Sequence, residues 1–348
     1  MQGGFQMTNA FLSLLLDPYV DNRSGGFGPA MPFAPEQDAL PPELALAYAK
    51  ALKAPPMPRV RPGVLADAAP FNVWGAAFGG TSSMSGDAGS HQLTTHTGGF
   101  AAGLDYRPAP DTVVGFALAG GGTTWSLAAG LGGGRSDVFQ AGVSGSRRFG
   151  AAYLSGALSY GSFWVSTNRT VTVAGTDQLD ARFLAQDFAG RLEGGYRVPS
   201  TLAFSVTPYA ALQAQSFTAP AYGETAVAGS PQFALSYNAK TATAVRAELG
   251  SRADKLFRMA DGTALKLFGR LAWAHDWQSD PSLNAVFLGL PTASFVVNGA
   301  APPRDLLLLT AGAEWRLRNG WSLLAKLDGE FADGSQTYAG TARAQYAW

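Results

Sequence analysis

Near the end of the chain, polar and apolar residues alternate strictly. Tyr338, Gly340, Ala342, Ala344, Tyr346 and Trp348 fall on one face, and Thr337, Ala339, Thr341, Arg343, Gln345 and Ala347 on the other. A period of two predicts a β-strand. The same scheme recurs upstream. Leu265, Leu267, Gly269, Leu271 and Trp273 oppose Lys266, Arg270 and Asp276. Leu307, Leu309, Ala311, Ala313, Trp315 and Leu317 oppose Thr310, Glu314 and Arg316, and Trp321, Leu323, Ala325, Leu327, Gly329 and Phe331 oppose Lys326, Asp328 and Glu330. Phe100, Ala102, Leu104 and Tyr106 oppose Asp105 and Arg107; Phe188, Leu192 and Tyr196 oppose Arg191 and Glu193; Val245, Ala247 and Leu249 oppose Arg246 and Glu248. One face is fatty with aromatics near its ends, and the other collects charges of both signs.

The pattern predicts twelve strands, at about 71–79, 97–107, 111–125, 135–148, 150–166, 179–197, 202–217, 240–252, 263–277, 304–317, 320–332 and 336–348. Tight turns are expected at Pro108–Asp111, Arg148–Gly150, Val198–Ser200, Ala260–Gly262 and Arg318–Gly320, with a further one at Arg252–Lys255. Longer connections at 80–96, 126–134, 167–178, 218–239, 278–303 and 333–335 alternate with them. An even number of antiparallel strands, with short turns at one end and long loops at the other, describes a membrane barrel. A soluble sandwich also alternates, but soluble strands run to five or six residues and need no aromatic girdles. Tyr338 to Tyr346 spans about 26 Å along the strand, or about 20 Å of membrane at a tilt of about 40°. The expected fold is all-β: a single twelve-stranded antiparallel transmembrane β-barrel over 71–348, with a short N-terminal helix in or near its lumen.

That helix is expected over Pro42–Ala54 (PELALAYAKALKA), where Leu44, Tyr48 and Leu52 share one face and Pro55-Pro56 ends the run. Prolines crowd the chain around it, so 1–41 reads as a Pro-rich linker with a remnant of a preceding domain, and 55–70 as a second linker. The first ten residues carry no positive charge, the apolar stretch Phe11–Leu16 is short, and no small-residue cleavage site follows. An outer-membrane protein needs an export signal, so the expectation is either that the 348 residues are a piece of a longer chain or that the localisation is a different one.

Composition agrees with the pattern. Charged residues make up 14% of the chain and hydrophobic ones 47%, mean hydropathy is +0.03, and no apolar run approaches a membrane helix. Lys+Arg 25 against Asp+Glu 25 leaves no basic field for a nucleic acid. With no cysteine, thiol catalysis and cysteine metal sites fall away.

The stretch from Phe71 to Trp348 resembles the β-barrel translocator domain of autotransporters, the type V secretion family. The matching pieces are FNVWGAAFGG (71–80), GLDYRPAPDTVVGFALAGG (103–121), GRSDVFQAGV (134–143), RLEGGYR (191–197), TPYAALQ (207–213), RAELGSR (246–252), AWAHDW (272–277) and YAGTARAQYAW (338–348). The form with SFVVNGA (294–300) is similar to one common in soil alphaproteobacteria. The resemblance implies a barrel in the Gram-negative outer membrane that anchors an N-terminal passenger and conducts it to the cell surface. It also implies a helix in the lumen, and as partners the membrane lipid, periplasmic chaperones, the barrel-assembly machinery and the chain's own passenger segment. The barrel is expected to be a monomer. That machinery reads a C-terminal strand signal, here Tyr346 and Trp348, although Arg343 stands where the family often has glycine. Some members cut their passenger inside the lumen at an asparagine; residues 42–70 contain none, so no cut is expected there.

The signatures of hydrolases, metalloproteases, P-loops and dinucleotide folds are missing from the sequence. Gly130–Gly134 lacks a phosphate-binding lysine and reads as a loop. His91 and His96 lack further ligands, and His275, between Trp273 and Trp277, reads as part of the interface belt. The lumen charges Asp105, Arg107, Arg191, Glu193, Arg246, Glu248, Lys266, Arg270, Glu314, Arg316, Lys326, Asp328 and Glu330 read as a salt-bridged wall. No enzyme activity and no cofactor are expected. The alternative is a stand-alone porin-like channel plugged by its N-terminal segment.

Overall fold

A computed structural model describes residues 1–20, 70–86, 90–173, 175–198, 204–279, 282–297, 299 and 302–348. Twelve long strands form the wall: β1 (Phe71–Met84), β2 (Leu93–Ala109), β3 (Thr112–Leu127), β4 (Gly133–Phe149), β5 (Ala152–Val171), β6 (Asp177–Tyr196), β7 (Ser205–Ala219), β8 (Lys240–Arg258), β9 (Ala264–Gln278), β10 (Asp305–Arg316), β11 (Trp321–Ala332) and β12 (Ser335–Ala347). Each pairs antiparallel with its neighbour in sequence. The sheet closes where β1 meets β12, from Asn72 opposite Ala347 to Met84 opposite Ser335. Closure leaves no free edge within the bilayer, as a spanning sheet requires.

The wall is inside out relative to a soluble protein. Phe100, Leu158 and Leu327 point outward at 74%, 65% and 70% exposure, whereas Lys266 and Glu314 point inward at 1% each. An apolar exterior with a charged interior fits hydrocarbon outside. Aromatics gird the short-turn end: Phe71 stacks on Tyr106 at 5.1 Å and on Trp348 at 6.0 Å, and Trp321 packs on Tyr346 at 5.3 Å. Positive-φ glycines turn the chain where side chains would be strained, at Gly150 (φ 64°) and Gly334 (φ 68°). In the turn from β8 to β9, the Thr263 amide and hydroxyl donate to Asp261 and hold its carboxyl below the usual range. At the other end the long loops carry a small sheet of Leu290–Val297, Leu283–Phe287, Leu235–Tyr237 and Tyr222–Gly223.

Among the described residues, one helix lies inside the barrel, α1 (Gln2–Leu15), packed on β2 to β7. These residues were expected to be linker and remnant. Two glycines and no cap side chain make α1 a poor isolated helix. Its stability comes from packing: Phe5, Met7, Phe11, Leu12, Leu14 and Leu15 are buried against the wall. The helix expected over 42–54, with Leu44, Tyr48 and Leu52, lies outside the described residues. Two local expectations are corrected. No turn interrupts Arg252–Lys255, because β8 keeps Arg252 and Asp254 on the inward face and runs on to Arg258. Gly133 and Gly134 belong to β4, pairing with Ser126 and Trp125 of β3.

Candidate functional site

The site is the lumen, and its wall has two materials. On β2 to β8 the inward positions holding α1 are small or apolar: Ala101, Ala117, Ala119, Val138, Ala157, Phe163, Val165, Ala185, Ala189, Phe217 and Ala242. Gly142 makes room for Phe11 and Leu15, since a methyl there would lie 2.6 Å from Leu15. Small hydroxyl residues share this lining, such as Thr95 and Thr123 beside Gly3, and four larger polar residues interrupt it. The Thr8 hydroxyl donates to Asp187 at 2.6 Å and accepts from Gln140 at 3.1 Å. The Asn9 side-chain oxygen accepts from Gln213 at 2.6 Å and also from Gln215.

Elsewhere the wall is ionic. Arg191 makes paired hydrogen bonds with Glu248, both at 2.8 Å, and a third with Glu193 at 3.0 Å. Arg252 binds Glu193 at 2.8 Å, donates to the Tyr153 hydroxyl and lies 3.7 Å over the Tyr209 ring. Arg246 joins Asp276 at 2.7 Å to Glu330 at 3.0 Å, and Arg270 reaches Asp328 at 3.5 Å and Glu248 at 3.8 Å. Glu314 lies 3.1 Å from Arg316 and 4.0 Å from Lys266, and Arg197 pairs with Asp254 at 3.0 Å. Several of these bonds skip a strand, so they chord the lumen rather than run along the wall. Buried charges persist only when paired, and here each guanidinium named meets a carboxylate.

The segment after α1 is tied into this ionic region. Asp17 meets Lys326 at 3.0 Å, the Tyr19 carbonyl accepts from Lys266 at 2.7 Å, and the Tyr19 hydroxyl donates to Gly269 at 3.0 Å. The Tyr19 ring stacks on Phe268 at 3.8 Å. Gln2 lies beside Gln278 at the long-loop end, at 3.4 Å, whereas Tyr19 contacts Lys266 near the start of β9, at the short-turn end. The chain therefore runs down the lumen from the long-loop end. At its upper end a cavity of about 60 Å³ remains, lined by Gln2, Gln6, Asn9, Gln213, Arg246 and Glu330 among others.

All thirteen lumen charges named from sequence lie on the inward face of their strands. Twelve enter the pairs above or, for Asp105, a 3.4 Å contact with Arg343; Arg107 stands half-exposed at the short-turn end. Tyr346 and Trp348 occupy the girdle, stacked at 5.9 Å, and Trp348 donates its amide to Phe71. Arg343, the departure from glycine, lies 4.2 Å over the Trp74 ring and donates to the Leu14 carbonyl of α1. His275 accepts or donates at 2.8 Å with Asp305, on the outer face beside Trp277. The sequence reading missed Arg252, Asp254, Asp187, Asp17 and Tyr19. Continuing the alternation Arg246, Glu248, Arg252, Asp254 past the supposed turn would have found the first two. The others depend on where α1 sits.

The profile of the autotransporter β-domain family matches residues 73–328. An extracellular serine protease of Serratia marcescens is 27% identical over 266 residues, which is 76% of this chain; the chain spans 25% of that relative's length. The fold is similar to the translocator domain of the autotransporter NalP from Neisseria meningitidis, with TM-score 0.65, 16% identity, and 88% of this chain and 94% of that one covered. It is also similar to the β-domain of the Bordetella autotransporter BrkA, with TM-score 0.62, 19% identity, and coverage of 80% and 99%.

Proposed function

The chain belongs to the autotransporter β-domain family, and from that premise we propose a translocator at rest, its conduit closed by its own N-terminal segment. As a member of the family it is the outer-membrane translocator unit of an autotransporter in a Gram-negative bacterium. In our reading α1 is the membrane-spanning stretch of the conducted chain, held after translocation. Its passenger lies beyond the long-loop end, outside the cell. The observation that carries this is the direction of α1, with its N-terminus at the long loops and its exit at the short turns.

The reading assigns the barrel no chemistry of its own. Its support is that the lumen carboxylates Glu193 and Glu248 are engaged by guanidinium groups, which leaves them poor proton acceptors. Lipid, periplasmic chaperones and the assembly machinery are its further partners in this proposal, and the barrel acts as a monomer. A porin-like channel is the displaced alternative.

Two measurements on the refolded chain test the proposal. On SDS gels the unboiled protein is expected to run ahead of the boiled one, as a closed barrel does. In planar bilayers the intact chain is expected to pass little current, and deletion of residues 1–20 to open a steady conductance. No gel shift, together with solubility without detergent, overturns the barrel. Equal current with and without residues 1–20 overturns the plug.

A further inference from the structure

The seat that holds α1 is mostly indifferent to position along its axis. Ala, Val and Phe side chains receive any apolar helix face, and α1 offers Phe5, Met7, Phe11, Leu12 and Leu15 in turn. A slide of one helical turn, about 6 Å, would exchange most of these contacts for others of similar kind; the tight fits are at Gly3 and Gly4, where a Cβ would lie 3.3 Å from the Thr123 Cβ and 2.5 Å from the Phe217 ring. The polar set is not indifferent. Thr8 and Asn9 are met by Gln140, Asp187, Gln213 and Gln215, whereas the seat's other buried polar side chains, among them Thr95, Thr123, Ser136 and Ser159, are small hydroxyls.

We propose that Gln140, Asp187, Gln213 and Gln215 form a docking site that fixes the register of the segment in the conduit by reading an adjacent hydroxyl–amide pair, here Thr8-Asn9. The inference rests on the reading of α1 as the conducted segment. Asp187 is 1% exposed, and its second carboxylate oxygen has no hydrogen-bond partner among the described residues. Its one hydrogen bond there is therefore the one from Thr8. A slide that puts residue 12 in the place of residue 8 sets Leu12 against Asp187, and the opposite slide sets Gly4 there. Slides by three residues bring Phe11 or Phe5. Each strands a buried carboxylate and two or three amides, which is costly in an apolar surround. A single buried polar position fixes register in coiled coils by the same physics. The ligand class follows: a helical stretch that is apolar on its seat-facing side apart from one hydroxyl residue followed by one amide residue. Whatever sequence carries such a pair is where the conducted chain comes to rest.

Disulfide mapping tests this cleanly, because the chain has no cysteine. A Cβ at Gly3 would lie 3.3 Å from the Thr123 Cβ, close to the separation in a disulfide. In the refolded full chain, Gly3→Cys with Thr123→Cys is expected to crosslink on oxidation, and Met7→Cys with Thr123→Cys is not. With Phe217→Ala present throughout to open the place of Gly4, the residues Thr8-Asn9 are then exchanged with Leu12-Ser13, which keeps the composition of α1 unchanged. The crosslink is now expected at 7–123 and lost at 3–123. A crosslink that stays at 3–123 overturns the docking site while leaving the plug intact. Loss of both crosslinks, with the gel shift retained, also overturns it, because the helix has then left rather than moved. Absence of the 3–123 crosslink before any exchange would instead overturn the placement of α1 on which the function rests.

Discussion

Where β3 offers Ala117 and Ala119 to the lumen, β9 offers Lys266 and Arg270, and the difference sets what each region depends on. The helix seat is satisfied only by α1. Empty, it would be a largely apolar trough in which Asp187 and three glutamines lose the partners that Thr8 and Asn9 supply. The ionic belt is satisfied mostly by itself, since Arg191, Arg246, Arg252 and Arg270 find their carboxylates on the wall. A conduit needs both: one region that grips a passing segment by shape, and one that keeps the barrel rigid whether or not a segment is present.

The hardest test of that division is Glu248→Leu. It leaves Arg191 with Glu193 alone and Arg270 with Asp328 alone, a loss of about 3–5 kcal/mol for one broken buried pair. The urea midpoint of the refolded barrel is expected to fall, while the bilayer current stays low because the seat is untouched. A rise in current equal to that of the 1–20 deletion would merge the two regions into one. Next in size is Leu271→Arg, adjacent to Arg270 but on the lipid face at 58% exposure. An arginine at mid-depth costs about 2–4 kcal/mol, read as a lower yield of heat-shifting barrel. It sharpens the comparison by showing that arginine is stable in this wall only where a carboxylate waits.

Gly142→Ala addresses the seat. The added methyl would meet Leu15 at 2.6 Å, Phe11 at 2.9 Å and the Leu158 carbonyl at 3.0 Å. Overpacking of this kind costs about 1–3 kcal/mol. The gel shift is expected to persist while the bilayer current rises, the reverse of the Glu248→Leu outcome. An unchanged current would show that α1 does not bear on Gly142.

The ionic belt was largely legible in the sequence, because charge on one face of an alternating strand has few other readings. The pattern placed Arg270 in a salt-bridged wall but did not show that its partners are Glu248 and Asp328. The seat was not read. Its inward residues are as apolar as its outward ones, so Gly115–Gly121 loses its alternation and resembles a strand buried on both faces. That blurring was the available signal that something apolar fills the lumen there. The register of α1 depends on Thr8 and Asn9 meeting four residues from three strands, a coincidence that spacing along the chain does not encode.

The smallest expected effect lies where the two regions meet. Tyr19 follows the seated helix but lies on the belt, its ring on Phe268 and its hydroxyl on the Gly269 carbonyl. Tyr19→Phe keeps the stack and removes one hydrogen bond, a change of about 0.5–1.5 kcal/mol. If the belt contributes to holding the segment, the variant should show brief openings in single-channel records, with mean conductance near that of the parent. Asp17 and Lys266 remain to hold the backbone, so the segment should reseat each time. Openings as long as those of Gly142→Ala would mean that the belt grips the segment as firmly as the seat does. No openings at all would confine the grip to the seat and leave the belt a purely structural wall.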